Sequence, residues 1–231
     1  MSETRCKITK IENLTTSVKR VVLTPEEPMS FLAGQYIQVV MGENDRRPFS
    51  IANAQKADGT IELHIGAMPG NSYALEVLEQ FEKGTAVIEG PLGQASLKQN
   101  TDSPIILLAG GTGYSYTRSI LQKLLEQPLE NPVYLYWGAR QLPELYEHQE
   151  LLALESQHPK FHFVPVVQEP ESNWTGKTGL VHQAVMGDFE DLSPFSVYVA
   201  GRFEMAAVVR EDFSKQGLKT ESLFGDAYAF I

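Results

Sequence analysis

The chain of 231 residues is 42% hydrophobic and 21% charged, which supplies apolar material for a packed core and excludes disorder. Asp plus Glu outnumber Lys plus Arg by 29 to 19, and the net charge of −10 disfavours nucleic acid and anionic lipid, so an anionic ligand must be met locally. The single cysteine, Cys6, rules out an internal disulfide, an iron–sulfur cluster and a thiolate zinc site, and fits a reducing compartment.

The N-terminal stretch Met1 to Arg5 is polar and leads into an alternating segment, and no apolar run approaches the ~20 residues that span a bilayer. The expectation is a cytoplasmic protein with no membrane and no nucleic-acid partner. The length suits two small domains. Val18 to Thr24, Tyr36 to Met41 and Ile61 to Ile65 read as short strands separated by Gly/Pro/Asp turns, as in an antiparallel barrel or sandwich. Tyr73, Val77, Leu78 and Phe81 share one helical face, so the spacing predicts a helix over Ser72 to Phe81 with Ser72 as its N-cap. Thr85 to Glu89 is the last strand of this half.

Gln99 to Pro104 is polar and ends in proline, and the rhythm changes there. The predicted domains are 1–98 and 104–231. Beyond it, strands at Ile105 to Ala109, Val133 to Trp137, Phe161 to Val167, Val197 to Ala200 and near Leu223 alternate with helices at Thr117 to Leu125, Leu145 to Leu154, Leu180 to Val185 and Glu204 to Phe213. That alternation predicts a doubly wound parallel α/β sheet.

Strand Ile105 to Ala109 runs into Gly110, Gly111, Thr112 and Gly113, and a helix follows. This order brings free N–H groups and a helix dipole to an anion. The G-x-G-x-x-G fingerprint is incomplete because position 116 is Tyr116, so a tight βα turn and a pyrophosphate cradle both remain open. After the second strand comes Arg140, which can meet a 2′-phosphate or a pyrophosphate or stand solvated; NADH and NADPH are not distinguished. Arg47, Pro48, Phe49 and Ser50, read at the opening of a strand, combine a cation, a rigid backbone, an aromatic plane and a hydroxyl. A flavin can use that set, but taken alone a strand start with one salt bridge accounts for it more simply. His64, His148, His158, His162 and His182 show no metal-ligand spacing, so no metal is expected. Tyr114 and Tyr116 are read as packing and Trp174 as a loop anchor.

Together with Phe31 to Tyr36, Gly90 to Gly93, Ala200 to Met205 and the ending Leu223 to Ile231, these motifs resemble the NAD(P)H-flavin oxidoreductase branch of the ferredoxin-NADP reductase superfamily, over essentially the whole chain. The resemblance implies an N-terminal antiparallel Greek-key β-barrel with one helix, followed by the doubly wound nucleotide-binding domain. It implies hydride transfer from NAD(P)H to free riboflavin, FMN or FAD, with the Ser50 hydroxyl near flavin N5. It places Tyr36, Arg47, Pro48, Phe49, Ser50, His64, Ile65, Gly66, Ala67 and Ser72 at the flavin. Gly110, Gly111, Thr112, Gly113, Tyr114, Ser115 and Arg140 go to the nicotinamide nucleotide, Gly201, Arg202, Phe203, Glu204 and Met205 close on its nicotinamide half, and Tyr228 and Phe230 lie near the flavin face. Reduced flavin would pass to ferric iron, oxygen, a monooxygenase or luciferase. Two departures stand out. Ala200 replaces the cysteine of many relatives, and only Gly70, Asn71 and Ser72 are available to grip an FAD pyrophosphate. An FAD-retaining reductase serving a protein partner and a non-catalytic flavin carrier are the alternatives.

Overall fold

The computed structural model describes residues 3–99 and 102–231; Met1 and Ser2, and Asn100 and Thr101 of the predicted linker, lie outside the described residues. The chain divides into two compact units, one of residues 1–97 with Arg118–Lys123 and one of 98–117 with 124–231.

The first unit is a six-stranded sheet of β1 (Glu3–Asn13), β2 (Val18–Pro25), β3 (Tyr36–Gly42), β4 (Asp45–Ser50), β5 (Ile61–Gly66) and β6 (Thr85–Leu92), in the order β4-β3-β6-β1-β2-β5. Each pair is antiparallel, and β6 returns between β3 and β1 to complete the predicted Greek key. The ends are drawn together where the Ala52 N–H donates to the Glu62 carbonyl at 2.7 Å. Period-two alternation sends Val21, Leu23, Ile37, Val39, Ile61, Leu63 and Ile88 into one core, each fully buried. Burying such a side chain contributes about 1.5–3 kcal/mol. Helix α1 (Ser72–Glu82) closes this core with Ala74, Val77, Leu78 and Phe81.

Two local expectations change here. Helix α1 is capped by Asn71, whose Oδ1 accepts from the Ala74 N–H at 3.3 Å, and Ser72 is already its first residue. An Asx side chain one position earlier reaches the third helical N–H, so the Ser72 hydroxyl is not needed for capping. Arg47 to Ser50 close strand β4 rather than open it, because the Gly42–Asp45 turn joins β4 directly to β3 as a hairpin.

The second unit is a parallel six-stranded sheet of β7 (Ile105–Gly110), β8 (Val133–Ala139), β9 (Phe161–Val167), β10 (Lys177–Thr178), β11 (Ser196–Ala200) and β12 (Leu223–Phe224), in the order β10-β9-β8-β7-β11-β12. Its helices are α2 (Tyr114–Leu124), α3 (His148–Gln157), α4 (Val181–Asp188) and α5 (Phe203–Lys215). The unbroken apolar runs of β7 and β11 are buried, as in a sheet covered on both faces. Strand order reverses at β7, with β8 on one side and β11 on the other, and a doubly wound sheet opens a ligand crevice at that switch point. Helix α2 begins at Tyr114, three residues before the predicted Thr117, because the 3-10 turn Gly111–Gly113 leads straight into it. Helix α3 begins at His148, after a separate 3-10 turn at Leu142–Glu144, not at Leu145.

Candidate functional site

The end of β4 is held by charge. The Arg47 guanidinium, buried to 8% exposure, donates to Asp45 Oδ1 at 2.9 Å and Oδ2 at 2.6 Å, to Glu76 Oε2 at 2.6 Å and to the Tyr73 carbonyl at 2.6 Å. Its plane lies 4.8 Å from the Tyr73 ring centroid. The hydrogen bond to Asp45, reinforced by Glu76, raises the Arg47 pKa further and keeps this cation permanently charged. Arg47 therefore rivets β4 to α1. Phe49 packs on the core, 6.3 Å from Tyr73, while Tyr36 and Ser50 face each other across β3 and β4. The Ser50 hydroxyl is half-buried, and none of the side-chain hydrogen bonds among the described residues engages it.

His64 and Ile65, on opposite faces of β5, are both buried. His64 Nε2 lies 2.9 Å from Glu62 Oε1 in a buried cluster, and Ile65 is fully buried, so neither side chain lines an open face. Only Gly66 and Ala67 remain half-buried at that edge. Burial by itself raises the Glu62 carboxyl, but the hydrogen bond from His64 and the charges of Arg118, His64 and Arg20 outweigh it and hold the pKa at about 2. Arg20 Nε and Arg118 Nη1 lie 2.9 and 3.3 Å from Glu62 Oε1. Ser72, exposed at the start of α1, has no cation within its Gly70–Asn71–Ser72 segment.

In the second unit the glycines of the β7 loop separate into two kinds. A Cβ on Gly113 would lie 2.3 Å from the Ala200 carbonyl oxygen, and Cβ atoms on Gly110 and Gly201 would meet the Met205 side chain at 2.8 and 2.5 Å. These three glycines let the ends of β7 and β11 close on each other around Met205. Gly111 is different: its φ is +54° and nothing lies within 4 Å of a Cβ there, so its backbone stands clear for a ligand. Ser115, the second residue of α2, is 3% exposed and its Oγ lacks a hydrogen-bond partner. Leaving such a hydroxyl unpaired costs about 1–3 kcal/mol, which an anionic oxygen at the helix N-terminus would offset. The cradle thus fits a phosphate group. Tyr114 takes no direct part with its side chain: it is buried, stacked on Trp137 at 3.8 Å, with its hydroxyl donating to Glu147. Trp137 Nε1 donates to the Gly111 carbonyl at 2.9 Å and braces the loop from beneath.

Arg202 is the N-cap position of α5, and Phe203 and Glu204 form its exposed first turn. Phe203 and Phe230, 54% and 73% exposed, meet edge to face at 6.1 Å. The C-terminal turn is docked on α5 by the Tyr228 hydroxyl, which donates to the Ala206 carbonyl at 3.1 Å, and by Arg210, which donates to the Ile231 carbonyl at 2.9 Å. Arg140 lies beyond β8 with Nε 2.9 Å from Glu169 Oε1. Trp174 anchors its loop through Nε1 to the Lys177 carbonyl at 3.0 Å.

Two participants, Glu62 and Asp226, escaped sequence reasoning, and Met205 takes a different role from the one expected of it. Glu62 looks like an ordinary strand residue, and its two arginines come from distant positions. Met205 was assigned to a closing segment, yet its side chain is what the glycines of two loops enclose. Asp226, half-buried in the turn after β12, has its carboxyl pushed by burial up to about 6. Its flanking Gly225, where a Cβ would lie 2.5 Å from the Val199 carbonyl oxygen, was the available signal of close packing.

Residues 5–97 match the oxidoreductase FAD-binding domain family and residues 107–211 the oxidoreductase NAD-binding domain family. An NAD(P)H-flavin reductase of Vibrio harveyi is 47% identical over 234 residues, covering 98% of this chain and 99% of the relative. Another of that description, from Aliivibrio fischeri, is 48% identical and covers 98% of both chains. Among solved structures, a cytochrome P450 reductase from Amycolatopsis superposes with a TM-score of 0.87 at 26% identity, over 97% of this chain and 69% of that one.

Proposed function

The chain belongs to the NAD(P)H-flavin reductase branch of the ferredoxin-NADP reductase superfamily, and from that premise we propose that it is an NAD(P)H:flavin oxidoreductase that takes riboflavin, FMN or FAD as a passing substrate. The observation that carries this reading is the near-complete, 47–48% identical match to reductases named for those two substrates. Residues 1–98 form the flavin domain and 104–231 the nucleotide domain. When bound, the two substrates supply the chemistry, a hydride passing from nicotinamide C4 to flavin N5, which requires roughly 3–3.5 Å between them.

The chain supplies position and polarity. Ser50 offers a hydroxyl with no competing protein partner to flavin N5 and is the catalytic residue. Tyr36, Pro48, Phe49, Gly66 and Ala67 shape the flavin's surroundings. Arg47 supports a flavin phosphate through charge, but its tie to Asp45 and Glu76 makes it first a brace for α1. The Gly70–Ser72 segment carries no cation, and Asn71 is used as a helix cap, so nothing there holds an FAD pyrophosphate permanently. In the nucleotide domain, Gly111 and Ser115 receive the pyrophosphate. The order β8-β7-β11 then directs adenosine toward Arg140 and nicotinamide toward Gly201–Met205 and Phe230. Reduced flavin leaves for an acceptor such as ferric iron, oxygen, a monooxygenase or luciferase, and the protein works in the cytoplasm.

The test follows NADH and NADPH oxidation separately against the three flavins, after recording the absorption spectrum of the dialysed protein. A colourless protein that consumes reduced nicotinamide only with added flavin is expected; a protein that stays yellow, or leaves nicotinamide absorbance unchanged, overturns the reading. Ser50→Ala should lower turnover by about 1–3 kcal/mol, roughly fivefold to 150-fold, while changing flavin affinity less. Unchanged steady-state turnover would remove Ser50 from its role.

A further inference from the structure

The carboxyl ends of β7, β8 and β9 lie in register, with Gly110 opposite Gly138 and Ala139 opposite Val167. Beyond them the chain continues side by side: the Gln168 N–H donates to the Ala139 carbonyl at 3.0 Å and the Glu169 N–H to the Arg140 carbonyl at 2.8 Å. Arg140 and Glu169 are thus fixed as neighbours by backbone bonds, and their side chains meet with Nε 2.9 Å from Oε1. A second carboxylate, Glu144, accepts from the Arg140 backbone N–H at 3.2 Å. Both partners of the ion pair stay open to solvent, at 68% and 52% side-chain exposure.

In a doubly wound nucleotide domain the end of the second strand meets the adenosine ribose, an acid there accepting from the 2′-hydroxyl of NADH and an arginine meeting the 2′-phosphate of NADPH. Here the arginine and the acid follow the ends of adjacent strands, β8 and β9, and bind each other. Resting on the reading that this domain takes a nicotinamide dinucleotide, we infer that Glu169 is a specificity-determining residue, masking Arg140 from a 2′-phosphate and favouring NADH. The charges at this position explain the direction. One guanidinium faces two carboxylates, so a phosphate dianion entering here meets a local surplus of negative charge. A ribose with a free 2′-hydroxyl brings no charge and can donate to Glu169.

The experiment uses the full chain and three variants, Glu169→Gln, Arg140→Gln and the double variant. Calorimetric titration with AMP and with adenosine 2′,5′-bisphosphate reads the discrimination without any flavin chemistry, and kcat/KM ratios for NADPH over NADH read it during turnover. The expected result is a gain of about fivefold for the 2′-phosphorylated ligand in Glu169→Gln, the upper range for an exposed ion pair. The gain should vanish in the double variant and shrink in high salt. Unchanged discrimination in Glu169→Gln, with both nucleotides bound, overturns the role of Glu169 alone. A gain that persists in the double variant overturns the masking of Arg140. Failure of the native protein to bind either nucleotide overturns the dinucleotide reading and this inference with it.

Discussion

The end of β4 with its α1 brace and the loop after β7 prepare for ligands in opposite ways. In the first unit, Arg47 satisfies itself on Asp45, Glu76 and the Tyr73 carbonyl, and Glu62 gathers His64, Arg20 and Arg118, so the charges are paired within the protein. In the second, packing does the shaping: Gly110, Gly113 and Gly201 close the loops around Met205 and the β11 backbone, while open space surrounds the Cβ position of Gly111 and the Ser115 hydroxyl has no hydrogen-bond partner. A neutral ring bound in passing needs a stiff surface more than a strong grip. A pyrophosphate needs donors that nothing else has claimed. The buried charges in the first unit thus hold its framework, whereas the second keeps an unpaired hydroxyl at the helix start, where the pyrophosphate is proposed to bind.

The sharpest way to break that comparison is Glu62→Gln. Removing the carboxylate on which His64, Arg20 and Arg118 converge should cost about 3–5 kcal/mol, measured by denaturant unfolding at pH 7. Because the folded Glu62 pKa lies near 2, below its ordinary 4.5, its contribution is present above pH 4.5 and is lost as pH falls toward 2; the variant should lack that acid limb. Loss of binding with unchanged stability would make the cluster a ligand site.

Next in size, Gly113→Ala should destabilise by about 3 kcal/mol, since its Cβ meets a backbone oxygen that cannot retreat cheaply. Gly111→Ala should cost only about 1 kcal/mol, the strain of a left-handed residue in open space, and should weaken AMP binding more than it lowers Tm. Equal losses of Tm in the two variants would erase the distinction between packing and ligand glycines. Asp226→Asn, between these two in size, is a change of opposite sign. Burial raises the Asp226 carboxyl from 3.8 to about 6, so its contribution to stability is full below pH 3.8 and is lost as pH rises through 6. At pH 7 the variant should be more stable by about 2 kcal/mol, and the gain should disappear at pH 3.5. A pH-independent difference would mean that the carboxylate is solvated.

Much of the fold was legible in the residues because hydrophobic period reports local geometry directly. Alternation in Val18–Leu23 and the unbroken apolar run of Ile105–Ala109 matched the half-buried and doubly buried strands they became, whereas Ile61–Ile65 alternates in sequence but is buried on both faces, because Glu62 and His64 pair with Arg20 and Arg118. Helix starts were harder, because a capping contest between Asn71 and Ser72, or a 3-10 turn before Tyr114, is decided by which side chain reaches which N–H. For the candidate site, the sequence by itself determined the glycine turn after β7, the Arg47–Ser50 group and the likeness to a reductase family, since each is a short contiguous motif. The folded chain alone shows that His64 is buried against Glu62, that Tyr114 stacks on Trp137, that Arg140 is met by Glu169 and that, of the loop glycines, Gly111 has open space at its Cβ position. Those outcomes depend on partners brought from remote strands, and charge pairing and steric closure act over a few ångströms of space, whatever the distance along the chain.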